Sequence, residues 1–416
     1  MVIRINPNVL LQNPEKALHL SIAGCLLQPM YFFMLGTASN IFGFETTLFT
    51  YIFYGAVWLL QILALPWILR KFTKMTVLGI VAVLFLAFLQ WLIFPKNKEY
   101  IVGFDPMSVF ALQPHSLLTV TPYILLGTAV TDMEGLKNTL HKIARVGITL
   151  GVLAYALAIA NESELRYDDM SNAYGLCMLL CILIVDLRKK DVWFITAGIL
   201  GVVLAGTRGP LVCIMIAFVM RMIWMEKNLT QKMLKITVCI LVLWALGSGM
   251  LAWILEFISE MFAAVGVTEL RLVDYMRDGM IADSSGRDTL SDTLWAGILE
   301  SPILGRGIGG DRLLLKGGAY AHNIFMELWT WWGLIAGTIA IAAICYALVS
   351  AMLSGSTSYR TVIVALVSGV LVKLLFSSSL LFSKEFMILL GMCLVSDKGR
   401  NEPSSNPVEK RGAIKQ

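Results

Sequence analysis

Residues 75–95 read MTVLGIVAVLFLAFLQWLIFP and contain no charged side chain. An α-helix rises 1.5 Å per residue, so about 20 such residues cross the ~30 Å hydrocarbon core of a bilayer. A second uncharged run, ITVCILVLWALGSGMLAWIL, covers 236–255. Across the 416 residues, 57% are apolar and 15% are charged, against about 25% charged in soluble domains. The chain therefore reads as an all-α polytopic membrane protein, and an ordinary soluble enzyme is excluded. The formal net charge of +5 says nothing about nucleic acid, because basic residues on a membrane protein first report sidedness.

Outward from these runs, charge clusters and turn residues divide the chain into about twelve expected spans. They cover 17–37, 46–69, 75–95, 116–131, 146–160, 172–187, 191–206, 211–226, 236–257, 322–350, 361–378 and 380–395. The first has no small-residue cleavage site and is followed by more spans, so it is expected to be retained. Lysine and arginine collect on one alternate set of segments, including Arg70, Lys71 and Lys74, then Lys137, Lys142 and Arg145, then Arg188, Lys189 and Lys190. Positive residues stay inside, which puts both termini in the cytoplasm.

Four regions follow: spans one to nine over 1–257, a large outer loop over 258–321, three more spans over 322–395, and a polar tail over 396–416 that reads as disordered. The outer loop is far longer than a connection and too rich in Leu, Ile and Trp for disorder. Its amphipathic stretches near 252–264 and 289–300 are expected to form short helices over the membrane surface. The seven cysteines all lie in apolar runs and read as small core residues.

Few polar groups are placed for chemistry. Gly206-Thr207-Arg208-Gly209-Pro210 interrupts an apolar run that is too long for one crossing, so a tight turn is expected with Arg208 at the outer boundary. Two readings stay open there: an arginine snorkelling to the headgroups, or a guanidinium facing a polar cavity and clamping a phosphate. His322 opens a long span from the outside; it is either structural or a general base. No second ligand at the right spacing accompanies it as a zinc site needs, and Ser284 and Ser285 lack a nucleophile-elbow context.

Acids outnumber bases in the outer loop, which excludes a general polyanion surface, and most of these charges read as a solvated, mutually paired face. The Gly-dense stretch 301–310 lacks the following Gly-Lys-Ser/Thr of a phosphate loop. It reads as a tight re-entry that lets the backbone approach something closely.

In order and spacing, these pieces resemble the bacterial O-antigen ligase and polysaccharide polymerase family of membrane glycosyltransferases, over about 172–345. The matching elements are the small-residue turn around Arg208, Ser285-Gly286-Arg287, the run Pro302 to Gly307, Ala321-His322-Asn323, and Gly333-Leu334-Ile335-Ala336-Gly337. Asn172 matches the family's Asn before an earlier span. Two departures stand out: Trp295 lies eight residues after Arg287 rather than about four, and Arg306 stands where the family prefers an apolar residue.

The resemblance implies a metal-independent, inverting glycosyl transfer, without a cofactor, on the outer face of the bacterial cytoplasmic membrane. The donor would be a glycan on undecaprenyl pyrophosphate and the acceptor another glycan, with a chain-length regulator protein as a further partner. Arg208 and Arg287 would hold the pyrophosphate, His322 would take the acceptor proton, and Arg306, Trp295, Tyr320, Asn172 and Asn323 would contact substrate. The expected product is O-antigen, capsular or exopolysaccharide. The alternatives are a ligase that moves the glycan to lipid A core or another acceptor, and a flippase or transporter of the lipid-linked oligosaccharide.

Overall fold

Among the described residues of the computed structural model, six helices are long and apolar enough to cross a membrane: Pro14–Phe42, Thr47–Arg70, Thr76–Ile93, Met133–Ile159, Ile324–Leu353 and Thr357–Phe376. The chain is thus a multi-pass membrane protein. The structure describes residues 13–160, 169–205, 207–225, 287–315, 319–353 and 355–395, with single positions at 230, 233 and 237. Apart from Thr237, the expected span 236–257 lies outside the described residues, as do the stretch around 252–264 and the tail 396–416.

In chain order the helices are α1 (Pro14–Phe42), α2 (Thr47–Arg70), α3 (Lys74–Ile93), α4 (Lys98–Val102), α5 (Pro106–Phe110), α6 (Leu117–Val120), α7 (Pro122–Thr128), α8 (Met133–Ala160) and α9 (Asp169–Val185). Then come α10 (Val192–Leu204), α11 (Arg208–Met225), α12 (Arg287–Glu300), α13 (Gly310–Leu315), α14 (Ile324–Leu353), α15 (Thr357–Leu366), α16 (Val372–Phe376) and α17 (Lys384–Leu394). A π-helical stretch, Val367–Leu371, joins α15 to α16. No strand occurs among the described residues.

Local chemistry explains several boundaries. Pro14 opens α1, where a missing N–H costs nothing, and the Asn13 side chain accepts from the Lys16 amide at 3.2 Å. Thr73 and Thr76 form a capping box at the start of α3. α1 packs on α2 and α8, and α9 packs against α8, α10 and α11. α9 is the most enclosed of these helices, with Ala173 to Val185 almost wholly buried.

Some expected spans take a different form. The segment 116–131 becomes α6 and α7, restarted at Pro122, and together these are too short to cross. The last expected span is reduced to the eleven-residue α17. The expected cytoplasmic segment with Lys137, Lys142 and Arg145 is already helical, being part of α8. There Arg145 Nη2 meets the buried Asp191 at 2.6 Å, and His141 Nδ1 lies 2.9 Å from Asp186. Arg145 and His141 thus meet Asp186 and Asp191 in a polar network between helix ends. Among the cysteines, Cys25, Cys177, Cys181 and Cys213 are buried as expected, whereas Cys345 is exposed.

The largest departure is in α14. The expected straight span 322–350 breaks at Gly333, which has φ 74° and ψ 177°. A break inside a membrane helix frees backbone groups that lipid cannot satisfy. Here the Gly-dense stretch 301–310 fills the gap. Arg306 N donates to Thr330 O at 2.8 Å, Gly307 N to Trp331 O at 3.0 Å, and Leu334 N to Pro302 O at 2.7 Å. The expected close approach of 301–310 is therefore to the backbone of α14 itself. Trp329 Nε1 also donates to Thr338 Oγ1 at 3.0 Å. Nine residues of straight helix would separate those groups by about 13 Å, so the bend is sharp.

Gly333 permits this junction twice over. Its φ lies in a region other residues avoid, and a Cβ there would come within 2.5 Å of Ile303 O and 2.6 Å of Pro302 O. Gly333→Ala should therefore destabilise the protein by about 2–4 kcal/mol. Thermal unfolding in detergent measures this, and an unchanged melting temperature would show that the junction is not tight.

Candidate functional site

The break in α14 places everything downstream of the turn 301–310. Gly307 and Gly309 lie against Phe94 and Tyr100, and Asn97 Nδ2 donates to Arg306 O at 2.8 Å. The turn leads straight into α13, whose Asp311 and Arg312 are buried. Asp311 Oδ1 accepts from Trp331 Nε1 at 2.8 Å, and its Oδ2 accepts from the Ala321 amide at 3.2 Å. Arg312 Nη2 donates to Ser379 Oγ at 2.7 Å, and Ser379 Oγ donates to Glu327 Oε1 at 2.5 Å. The Leu380 amide caps the second oxygen of Glu327 at 2.9 Å. Rings of Tyr100, Tyr320 and Phe382 surround the Arg312 guanidinium at 5.0–5.9 Å.

This network anchors the segment that carries His322. Ala321 is held by Asp311, and Asn323 caps α14 by accepting from the Phe325 amide at 2.9 Å and the Met326 amide at 3.3 Å. Between these two fixed points His322 takes a left-handed backbone conformation, φ 53°, which few residues other than glycine adopt. Its ring lies 4.0 Å from that of Tyr320, centroid to centroid. The surroundings, more than the residue's own preference, thus set the direction of the imidazole.

A line of contacts runs from His322 to the start of α11. The Tyr320 hydroxyl donates to Ser377 O at 3.3 Å, and the Ser377 amide donates to Lys373 O at 2.8 Å. Lys373 Nζ stands 5.7 Å over the Tyr174 ring. Tyr174 packs so closely on Gly209 that a Cβ at that position would meet its hydroxyl at 1.9 Å. Cys177 Sγ donates to Pro210 O at 3.2 Å, one turn further along α9. Arg208 is the first residue of α11, as the expected tight turn requires, and Asn172 is half-buried two residues before Tyr174. The side chains of Arg208 and Arg287 lie outside the described residues; Arg287 is the first residue of α12.

Two expected substrate residues sit elsewhere. Arg306 is committed to the break: its Nε donates to Gly297 O at 3.1 Å and its Nη2 pairs with Glu300. Trp295, 43% exposed, packs edge-on against Trp329. Both belong to the α12–α14 contact, about two helical turns along α14 from His322.

Three residues escaped the sequence reading. Asp311 and Arg312 were expected on a solvated, mutually paired face; they are paired but buried, and the Gly-rich turn that swallows them was the available signal. Glu327 stands alone in an apolar span, a placement that by itself marks an ionisable residue with a task. Among the described residues no group of three or more His, Cys, Asp or Glu side chains could hold a metal ion.

Arg312→Met leaves Asp311 and Glu327 buried without a counter-charge, which costs about 3–5 kcal/mol. Thermal unfolding should show the loss, and a variant as stable as the unsubstituted protein would remove Arg312 from this anchoring role.

No curated protein and no solved structure matches the chain. One family model does, over residues 192–341, which run from the start of α10 to beyond the break in α14 and so contain Arg208, the turn at 301–310 and His322. That portion of the chain is similar to the family described as O-antigen ligase.

Proposed function

We propose that this protein polymerises oligosaccharide repeat units carried on undecaprenyl pyrophosphate, at the outer face of the bacterial cytoplasmic membrane. The observation that carries the reading is the fixed imidazole of His322, joined through Tyr320 and Ser377 to the helix that meets the Arg208 turn. An acceptor sugar hydroxyl attacks the anomeric carbon of the donor from the face opposite its pyrophosphate. His322 takes the hydroxyl proton as the new carbon–oxygen bond forms. The old bond gives its electron pair to the pyrophosphate oxygen, and the anomeric centre inverts. Arg208 and Arg287 hold the leaving pyrophosphate; planar guanidinium forks suit phosphate better than ammonium groups do. Activation resides in the donor's own pyrophosphate, so neither nucleotide nor metal takes part.

A ligase that passes a finished glycan to lipid A core is the second reading, favoured by the description of the matching family model. It shares the donor and the site and differs only in the acceptor. A transporter would use a broken helix to present free backbone groups to its cargo. In α14 those groups are already taken by Pro302, Arg306 and Gly307, which favours the enzyme.

Purified protein given a lipid-pyrophosphate-linked repeat unit, with chelator and no nucleotide, should yield a ladder of products. No ladder and no transfer to any acceptor would end the enzyme reading. His322→Ala should lower turnover by about 10²–10⁴-fold, and Arg287→Lys by about 10²-fold. Unchanged turnover in both variants, at equal expression, would remove these residues from the site.

A further inference from the structure

We propose that Lys373 is a third cation of the site and binds a phosphate oxygen of the lipid-linked donor. The proposal rests on the function argued above and adds a residue to it.

The candidate span Thr357–Phe376 contains two charged side chains, Arg360 near its start and Lys373 near its end. Lys373 is half-buried, and no carboxylate among the described residues lies within ion-pair distance of it. The comparison with Lys384, a buried lysine at the start of α17, is instructive. Lys384 Nζ donates to Leu112 O at 2.8 Å and to the Gln28 side chain, and lies 3.8 Å from Glu385. Its charge is fully served by the protein. Among the described residues, the ammonium of Lys373 has only the face of Tyr174, at 5.7 Å.

A cation inside a candidate span, with no counter-charge among the described residues, is unfavourable unless a ligand supplies one. The helix dipole favours a lysine near a C-terminus, but it does not account for this direction. A snorkelling lysine runs along the lipid toward the headgroups; Lys373 Nζ instead lies over a ring that is 4% exposed, inside the bundle. Its position is also the right one. Its own carbonyl accepts from Ser377, whose carbonyl accepts from Tyr320 beside His322, and Tyr174 abuts Gly209 next to Arg208.

The chemistry calls for such a group. When the bond from the anomeric carbon to the pyrophosphate breaks, the released lipid pyrophosphate carries one more ionised oxygen than the donor did. Two arginines match the charge of the donor; a third cation meets the charge that develops on departure. A lysine suits that task, since its ammonium is a point charge on a flexible stem and can follow the leaving oxygen.

The test uses full-length protein in nanodiscs, with undecaprenyl pyrophosphate lacking sugar as the binding probe and the lipid-linked repeat unit for turnover. Lys373→Gln should weaken binding of the probe about tenfold and lower kcat, with an unchanged melting temperature. Lys373→Arg should restore most of both. Wild-type binding and kcat in Lys373→Gln would overturn the proposal. So would equal losses in both variants with a lowered melting temperature, which would mark a packing role. If the unsubstituted protein binds no probe and transfers no sugar, the donor reading itself fails. If it does both and only the Lys373 arm fails, the assignment of Lys373 alone is lost.

Discussion

Three backbone hydrogen bonds across the break in α14 set the architecture around His322. Lipid offers no partner for a free carbonyl or amide, so a helix interrupted at Gly333 can exist only if another segment completes it. Residues 302–307 do so, and in turn they acquire a fixed position they would not have as a surface loop. α13 follows directly and brings Asp311 under the His322 segment. A constraint of the bilayer on the backbone is thereby converted into the placement of an imidazole.

The buried charges extend the same logic. Asp311, Arg312 and Glu327 tie together α13, the start of α14 and the segment at 379–380, three pieces far apart in the chain. Each is hydrogen-bonded on more than one side, the condition under which a buried ion pair is tolerable at all. Their gain is geometric: they hold Tyr320, whose ring packs on His322, against the helix that bears Lys373. The site therefore stands between two independently anchored parts of the molecule.

Much of this was legible in the sequence. Uncharged runs such as 75–95 announce membrane helices because length and apolarity are local properties, and the Gly-rich stretch at 301–310 announces a close backbone approach for the same reason. The partner of that approach was not legible, since Gly333 sits in an apolar run that reads as continuous helix and only three-dimensional packing reveals the break. Likewise Asp311 and Arg312 look like any charged pair in a polar loop until the turn folds them inward. Arg306 was expected to contact substrate, yet its guanidinium serves the α12 contact. The local signals fixed what kinds of element occur; the long-range ones, which decide how the site is assembled, had no periodicity to read.

The π-helical stretch Val367–Leu371 has a consequence for the residues that follow it. A wider turn accommodates one extra residue, so every side chain beyond it is rotated by about 100° relative to an uninterrupted α-helix. Lys373 is the second residue after that stretch. In regular α-helical register it would face a different neighbour, and the ring of Tyr174 would have no cation above it. One surplus residue in a helix thus acts as a rotary setting, turning a charge from one side of the span to another without any change in the amino acids on either face.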